Sequence, residues 1–161
     1  MGGVKNPADV RLILAMTEDL HAQFEHEAHL FPEGTNETVT FTAGGSANTF
    51  SAWAEIVDNN AVKLSSKFNT EDMHIDDVVI TSNNTVDKRW ILEMSWGGAK
   101  TPAGRMAFGS GTKKVHPEQA VHLVAGKLPL NELIYYRLKC ETPSATCTVS
   151  LTYYHHSTAI T

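Results

Sequence analysis

The sequence predicts a mainly β protein, an antiparallel β-sandwich of the jelly-roll type with about eight strands and one N-terminal α-helix. Two observations support the sandwich. Beyond residue 35, short stretches alternate between polar and apolar residues, as half-buried strands do. Clusters of Gly, Asn and Pro separate these stretches at regular intervals, as expected for an all-β domain. The predicted division is therefore a helix or arm over residues 1–34 and a sandwich over residues 35–161.

The N-terminal segment carries the signals of a helix. Asn6 is a suitable N-cap, and Pro7 suits the first helical position. A narrow apolar stripe with spacings of three and four follows, formed by Val10, Ile13, Thr17, Leu20, Phe24 and Phe31. Such a stripe fits a coiled-coil seam, and it fits a single helix lying against the domain equally well. Residues Pro32 to Gly34 end the element.

The predicted strands then follow one another along the chain. They cover Thr38–Thr42, Asn48–Asp58, Val62–Phe68, His74–Ser82, Asp87–Trp96 and a short stretch around Arg105–Phe108. The pairs Asn59-Asn60 and Asn83-Asn84 are predicted turns, because Asn tolerates left-handed backbone. The remainder of Gly97–Gly111 is predicted to be an irregular surface loop, and His116–Lys127 fits either a helix or a strand.

The last two strands show the clearest alternation. One predicted apolar face contains Ile134, Tyr136, Leu138 and Cys140, and the other contains Cys147, Val149, Leu151 and Tyr153. Pro143 favours a turn within Thr142–Ala145. We therefore expect a hairpin that pairs Cys140 with Cys147 and Tyr136 with Leu151. A disulfide is geometrically conceivable in this register, but buried free thiols are favoured for a chain made in a cytosol.

The composition limits the classes of function that this chain can have. The 161 residues are enough for one domain with a sound core, and 42% hydrophobic with 19% charged residues is ordinary for a globular protein. A net charge of −5 opposes a nucleic-acid-binding surface, which is usually basic. No apolar run is long enough for a membrane span, and MGGVKNPADV has no signal-peptide core. We expect synthesis in a cytosol, with no nucleic-acid or membrane partner.

A metal site is the first chemical hypothesis. His74-Ile75-Asp76 matches the H-x-D pair of double-stranded β-helix metal sites, and His122 or His155 could supply a third ligand. Eight histidines make a chance match common, so surface or interface histidines are the favoured interpretation. The sequence contains neither a G-x-S-x-G elbow nor a phosphate loop. We therefore predict no enzymatic activity, no cofactor, and no catalytic or metal-binding residues.

An aromatic sugar-binding platform is the second hypothesis. Trp53, Trp90 and Trp96 could together form one. Tryptophans are more often core or subunit-interface anchors, which is the competing interpretation.

Four stretches resemble a known family. They are Ser51–Phe68, His74–Ile80, Asp87–Gly98 and Leu133–His156. From residue 48 onward the chain resembles the cement or decoration proteins of tailed-phage capsids, which have a jelly-roll fold. The resemblance implies a homotrimer on the capsid exterior of the virion, contact with the major capsid protein, and no catalytic site.

A further expectation concerns the surface that contacts the capsid. Because exposed termini and loops can fold onto a partner, we expect the N-terminal helix and the Gly97–Gly111 loop to contact the capsid. The alternatives are a carbohydrate- or receptor-binding β-sandwich, and a cupin-like metalloenzyme that uses His74 and Asp76.

Overall fold

The computed structural model describes residues 28–69, 71–113 and 128–156, and it confirms a mainly β fold built from two antiparallel sheets. The strands are β1 (Ala28–Phe31), β2 (Val39–Thr42), β3 (Ala54–Glu55), β4 (Asp72–Asn83), β5 (Arg89–Trp96), β6 (Thr101–Gly109), β7 (Ile134–Cys140) and β8 (Thr146–His156). Short 3-10 helices cover Leu64–Phe68 and Gly111–Lys113.

The first sheet is organised around β8. Strand β4 pairs with almost the whole length of β8, from Asp72 opposite His156 to Asn83 opposite Cys147. Strands β1 and β2 pair with separate halves of β8, so they share its other edge. The second sheet has the order β3-β7-β5-β6.

One hydrophobic core fills the space between the two sheets. Trp90, Phe41, Leu92, Met94 and Leu138 are among its fully buried side chains. Each such side chain contributes roughly 1.5–3 kcal/mol through burial. The sheets also meet through a ring pair, because Phe41 stacks on Tyr136 with centroids 3.9 Å apart. The Tyr136 hydroxyl accepts a hydrogen bond from the Thr42 backbone amide at 3.3 Å.

The predicted faces of the last two strands are confirmed, but the predicted hairpin is wrong. Strand β7 pairs with β3 and β5, whereas β8 pairs with β1, β2 and β4. Tyr136 therefore lies opposite Met94, and Leu151 lies opposite Val78. Residues 141–145 carry the chain from one sheet to the other, so the two apolar faces meet across the core. Alternation alone cannot distinguish this crossing from a hairpin, since both bury the same residues.

The predicted long strand Asn48–Asp58 is also wrong. Only Ala54 and Glu55 form a strand, and the rest follows β7 irregularly. The Asn48 amide donates to Cys140 O at 2.7 Å, and the Ser51 amide donates to Leu138 O at 2.9 Å. Three residues on this segment therefore match two on β7. The apolar residues of the segment, Phe50, Trp53 and Ile56, are spaced by three, which does not suit a strand.

Two further predictions need correction. Val62–Phe68 contains a 3-10 helix, which buries Leu64, Ser65 and Phe68. The predicted short strand around Arg105–Phe108 is confirmed, but it is part of the longer β6, which replaces most of the predicted Gly97–Gly111 loop. Strand β6 is joined to β5 by a tight turn in which Gly97 has φ +70°. The glycine content concealed the length of this strand, although Gly104 itself lies in the ladder opposite Met94.

The predictions for Thr38–Thr42, His74–Ser82 and Asp87–Trp96 are confirmed by β2, β4 and β5. The predicted helix is wrong at its end, because Ala28–Phe31 forms β1. There His29 and Phe31 alternate with outward residues, which is a strand pattern. The rest of the predicted helix lies within residues 1–27, which are outside the described residues. The stretch His116–Lys127 is also outside them.

Candidate functional site

The outer face of the first sheet is chemically unusual. We call it the cation-free face, because none of its four strands contains Lys or Arg. Its outward side chains include Ala28, Leu30, Thr40, Thr42, Asp72, His74, Asp77, Val79, Ser82, Thr146, Thr148, Ser150, Thr152 and Tyr154. Ordinary soluble surfaces are about 25–35% charged, with both signs interspersed. This face instead presents hydroxyl groups in rows.

Apolar side chains interrupt the hydroxyl rows. Leu30 is 57% exposed and lies opposite Thr152, and Val79 is 47% exposed and lies opposite Ser150. Both therefore sit on strands that flank β8. Depletion of charge with exposed apolar groups is typical of the centre of a protein–protein interface.

The outer face of the second sheet has the opposite character. The Arg137 Nε atom donates to Glu93 Oε2 at 2.6 Å, and Arg105 lies 3.5 Å from the other oxygen of the same carboxylate. The Arg137 guanidinium carbon lies 4.5 Å from the Phe50 ring centroid and 4.6 Å from that of Trp53. Cation–π contacts of this kind contribute about 0.5–1 kcal/mol each at exposed sites. These contacts hold the irregular segment before β3 against the second sheet.

The three tryptophans do not form a sugar platform. Trp90 is buried in the core, where it stacks on Phe108 with centroids 5.6 Å apart. Trp96 packs partly buried against the same core. Trp53 lies at the outer surface and contacts Arg137. The interpretation of these residues as packing anchors fits Trp90 and Trp96.

The metal hypothesis also loses one of its proposed ligands. His74 faces outward and stacks on Tyr154 with centroids 5.1 Å apart, whereas His155 faces the opposite side of the same sheet. The two histidines therefore cannot share an ion. Within the described ranges, no group of three or more His, Cys, Asp or Glu side chains could hold a metal ion. His122 lies outside those ranges.

Both cysteines are buried free thiols. Burial, with a smaller contribution from Cys140, raises the pKa of Cys147 to about 12. The nucleophilic thiolate of Cys147 is therefore scarce at neutral pH. This environment suits packing rather than catalysis.

An inward-facing ring cluster at the end of the first sheet was missed by the sequence analysis. We call it the histidine cluster, and it consists of His29, Tyr153 and His155 with the carboxylate of Glu71. The His29 ring centroid lies 5.3 Å from Tyr153 and 5.0 Å from His155. Alternation of His29 and Phe31 was the available signal, but the helix prediction covered both residues.

Carboxylates also surround an open pocket beside β1. It is lined by Phe31, Glu33, Gly34, Glu37, Asp58, Val62 and Lys67. Lys67 pairs with Glu33 at 2.8 Å, and Asp58 Oδ1 accepts hydrogen bonds from two backbone amides of the following turn. These groups therefore stabilise local structure.

Among the described residues, no helix has the length and apolarity needed to cross a membrane. No protein-family model, curated protein or solved structure matches this chain.

Proposed function

We propose that this protein is a non-enzymatic accessory protein that binds an assembled protein shell and stabilises it. The sequence resemblance points to the capsid of a tailed phage, with the protein on the exterior of the virion and the major capsid protein as its partner. The observation that carries the proposal is the cation-free face, since a described outer surface that lacks Lys and exposes Leu30 and Val79 favours contact with another protein.

The order of strand pairing supports the proposed jelly-roll. Strand β2 pairs with β8, β3 pairs with β7, Met73 of β4 bridges to Leu128, and β5 pairs with β6. These pairs are nested, as in one long antiparallel hairpin wrapped into two sheets. Viral capsid proteins, lectin domains and cupins use jelly-rolls, so the fold fits the proposal without selecting it.

The size of the face indicates how binding would work. Strand β8 has 11 residues, so it is about 36 Å long, and three strands side by side are about 14 Å wide. The resulting area of about 500 Å² is smaller than the roughly 800 Å² per partner of a standard stable interface. A single copy would bind weakly. A homotrimer, which we also propose, would combine three such contacts through effective concentration.

Stabilisation then follows from mass action. A protein that binds the assembled shell but not its separated subunits raises the free energy of disassembly. The contact surface differs from our first expectation, because most of Gly97–Gly111 is a strand of the other sheet. The proposal therefore assigns contact to the cation-free face.

The test uses shells prepared without this protein. Decorated shells should resist heating more than bare shells, and added protein should bind to bare shells. Leu30→Lys and Val79→Lys place a cation on the cation-free face and should weaken binding at least tenfold. Ala107→Lys adds the same charge to an exposed position of β6 and is the matched control. Equal heat resistance without binding would rule out the function, and full binding by both face variants would rule out the assigned surface.

A further inference from the structure

Strand β1 is a short strand at the edge of the first sheet. It has four residues, and among the described residues its strand pairing is with β8 alone. Two of its side chains face inward. Phe31 is fully buried, and His29 lies opposite Tyr153 in the register. The histidine cluster therefore lies at the junction between β1 and the rest of the first sheet.

The His155 side chain lacks a hydrogen-bond partner that would stabilise its protonated form. The Nδ1 atom of His155 is buried without a hydrogen-bond partner, and Glu71 Oε2 lies 3.9 Å away, which is too far for a hydrogen bond. Burial lowers the pKa of His155, the neighbouring His29 lowers it further, and Glu71 partly opposes both effects. Protonation of both imidazoles would place two positive charges in rings whose centroids are 5.0 Å apart.

The other groups facing the cluster offer little compensation. Burial and the charge of Glu33 raise the pKa of Tyr153 to about 12, so its hydroxyl stays neutral. Glu33 is already paired with Lys67 at 2.8 Å. Among the described residues, Glu71 is the carboxylate that lies beside His155, while His74 and Tyr154 lie on the opposite face of the sheet.

We propose that the histidine cluster is an acid-sensitive latch, which holds β1 against β8 at neutral pH and releases it when His155, packed against His29 of β1, is protonated. The released form binds more protons than the closed form. The latch is therefore fully closed above the ordinary histidine pKa of about 6.5 and weakens as the pH falls below it. This inference does not depend on the proposed capsid function.

Linkage sets the size of the effect. The opening equilibrium constant rises by up to about tenfold per pH unit for each proton taken up on opening. A drop from pH 7 to pH 5.5 should be sufficient to detect release.

Hydrogen exchange of the full chain measures this opening directly. After correction for intrinsic exchange rates, protection of the amides in β1 should fall several-fold between pH 7 and pH 5.5, with about tenfold as the upper limit for one proton. Amides of the β5–β6 hairpin, which lies in the other sheet, are the internal reference. The double variant His29→Gln, His155→Gln should lose most of this pH response. His74→Gln is the matched control and should keep it.

A second measurement applies whether or not the double variant folds. Glu71→Gln removes the carboxylate that favours protonated His155, so the fall in protection below pH 6.5 should become larger. The wild-type His155 imidazole, followed by NMR, should titrate below its ordinary pKa. Unchanged protection of β1 in the wild type, or an equal fall in the double variant, would overturn the proposal. So would a His155 imidazole that titrates at or above the ordinary value.

Discussion

Neighbouring residues of β8 serve opposite sides of the sheet. Leu151 is fully buried and lies between Phe31 of β1 and Val78 of β4. Thr152, the next residue, faces outward and lies opposite Leu30. Period-2 geometry therefore makes one strand both the centre of the core and the middle of the proposed contact surface.

This alternation gives a matched pair of substitutions. Leu151→Asp places an unpaired carboxylate in the core, which costs several kcal/mol and is comparable to the roughly 5–15 kcal/mol stability of a whole domain. We expect this variant to be unfolded at 25 °C. Thr148→Asp adds the same charge on the outer face, opposite the hydroxyl groups of Thr40 and Ser82, where the change should be about 0.5 kcal/mol or less. Circular dichroism during thermal unfolding compares the two, and similar melting of Leu151→Asp and wild type would contradict the core assignment.

At the scale of the element, alternation was sufficient to predict strands but not their partners. Strands β4, β5, β7 and β8 each bury one face, so their positions could be predicted, as could the inward residues of β7 and β8. The partners of β7 and β8 could not, because a crossing between sheets and a hairpin bury the same side chains. The segment Asn48–Asp58 was wrongly predicted to be one long strand, although its apolar residues Phe50, Trp53 and Ile56 are spaced by three.

The candidate surfaces were harder to predict than the strands. The lack of Lys and Arg is visible within β4 and within β8 separately, but the cation-free face exists because β8 brings four strands together. The histidine cluster requires His29 and His155 to be neighbours although they are far apart in the chain. That proximity depends on the β1–β8 register, which no local pattern contains.

The turn after β3 offers a prediction about backbone strain. Ala61 has φ 63°, a left-handed conformation that costs an L-residue with a Cβ about 1–2 kcal/mol. Ala61→Gly removes this cost but increases the freedom of the unfolded chain, so the net gain in unfolding free energy should be about 0.5–1 kcal/mol. Ala52→Gly is the control at an exposed position without positive φ, and it should be neutral or destabilising. Urea unfolding measures both, and a loss of stability in Ala61→Gly would contradict the strain argument.

At the scale of the whole molecule, the sandwich separates two kinds of surface. The four strands of the first sheet contain no cation, whereas the strands of the second sheet carry Arg89, Arg105, Arg137 and Lys139. Ion pairs and cation–π contacts occupy Arg137 and Arg105 on that second surface. The two outer faces are therefore not interchangeable, and one of them is better suited to bind a protein partner.

Two truncations test whether β1 belongs to the folded sandwich. Deleting residues 1–27 keeps every described strand, so this truncation is the reference for the second one. Deleting residues 1–34 also removes β1 and the buried Phe31, and loss of a core Phe side chain alone costs about 3–5 kcal/mol. Phe31→Ala in the full chain should reproduce much of that loss, as measured by urea unfolding. Equal stability of the two truncations would show that β1 does not belong to the folded unit.

Light scattering on the chain that lacks residues 1–27 tests the proposed homotrimer. A surviving trimer means that the sandwich holds the assembly, and a monomer assigns that role to residues 1–27. A full-length chain that is monomeric at micromolar concentration would exclude the trimer, and the roughly 500 Å² face would then have to bind the shell without multivalency.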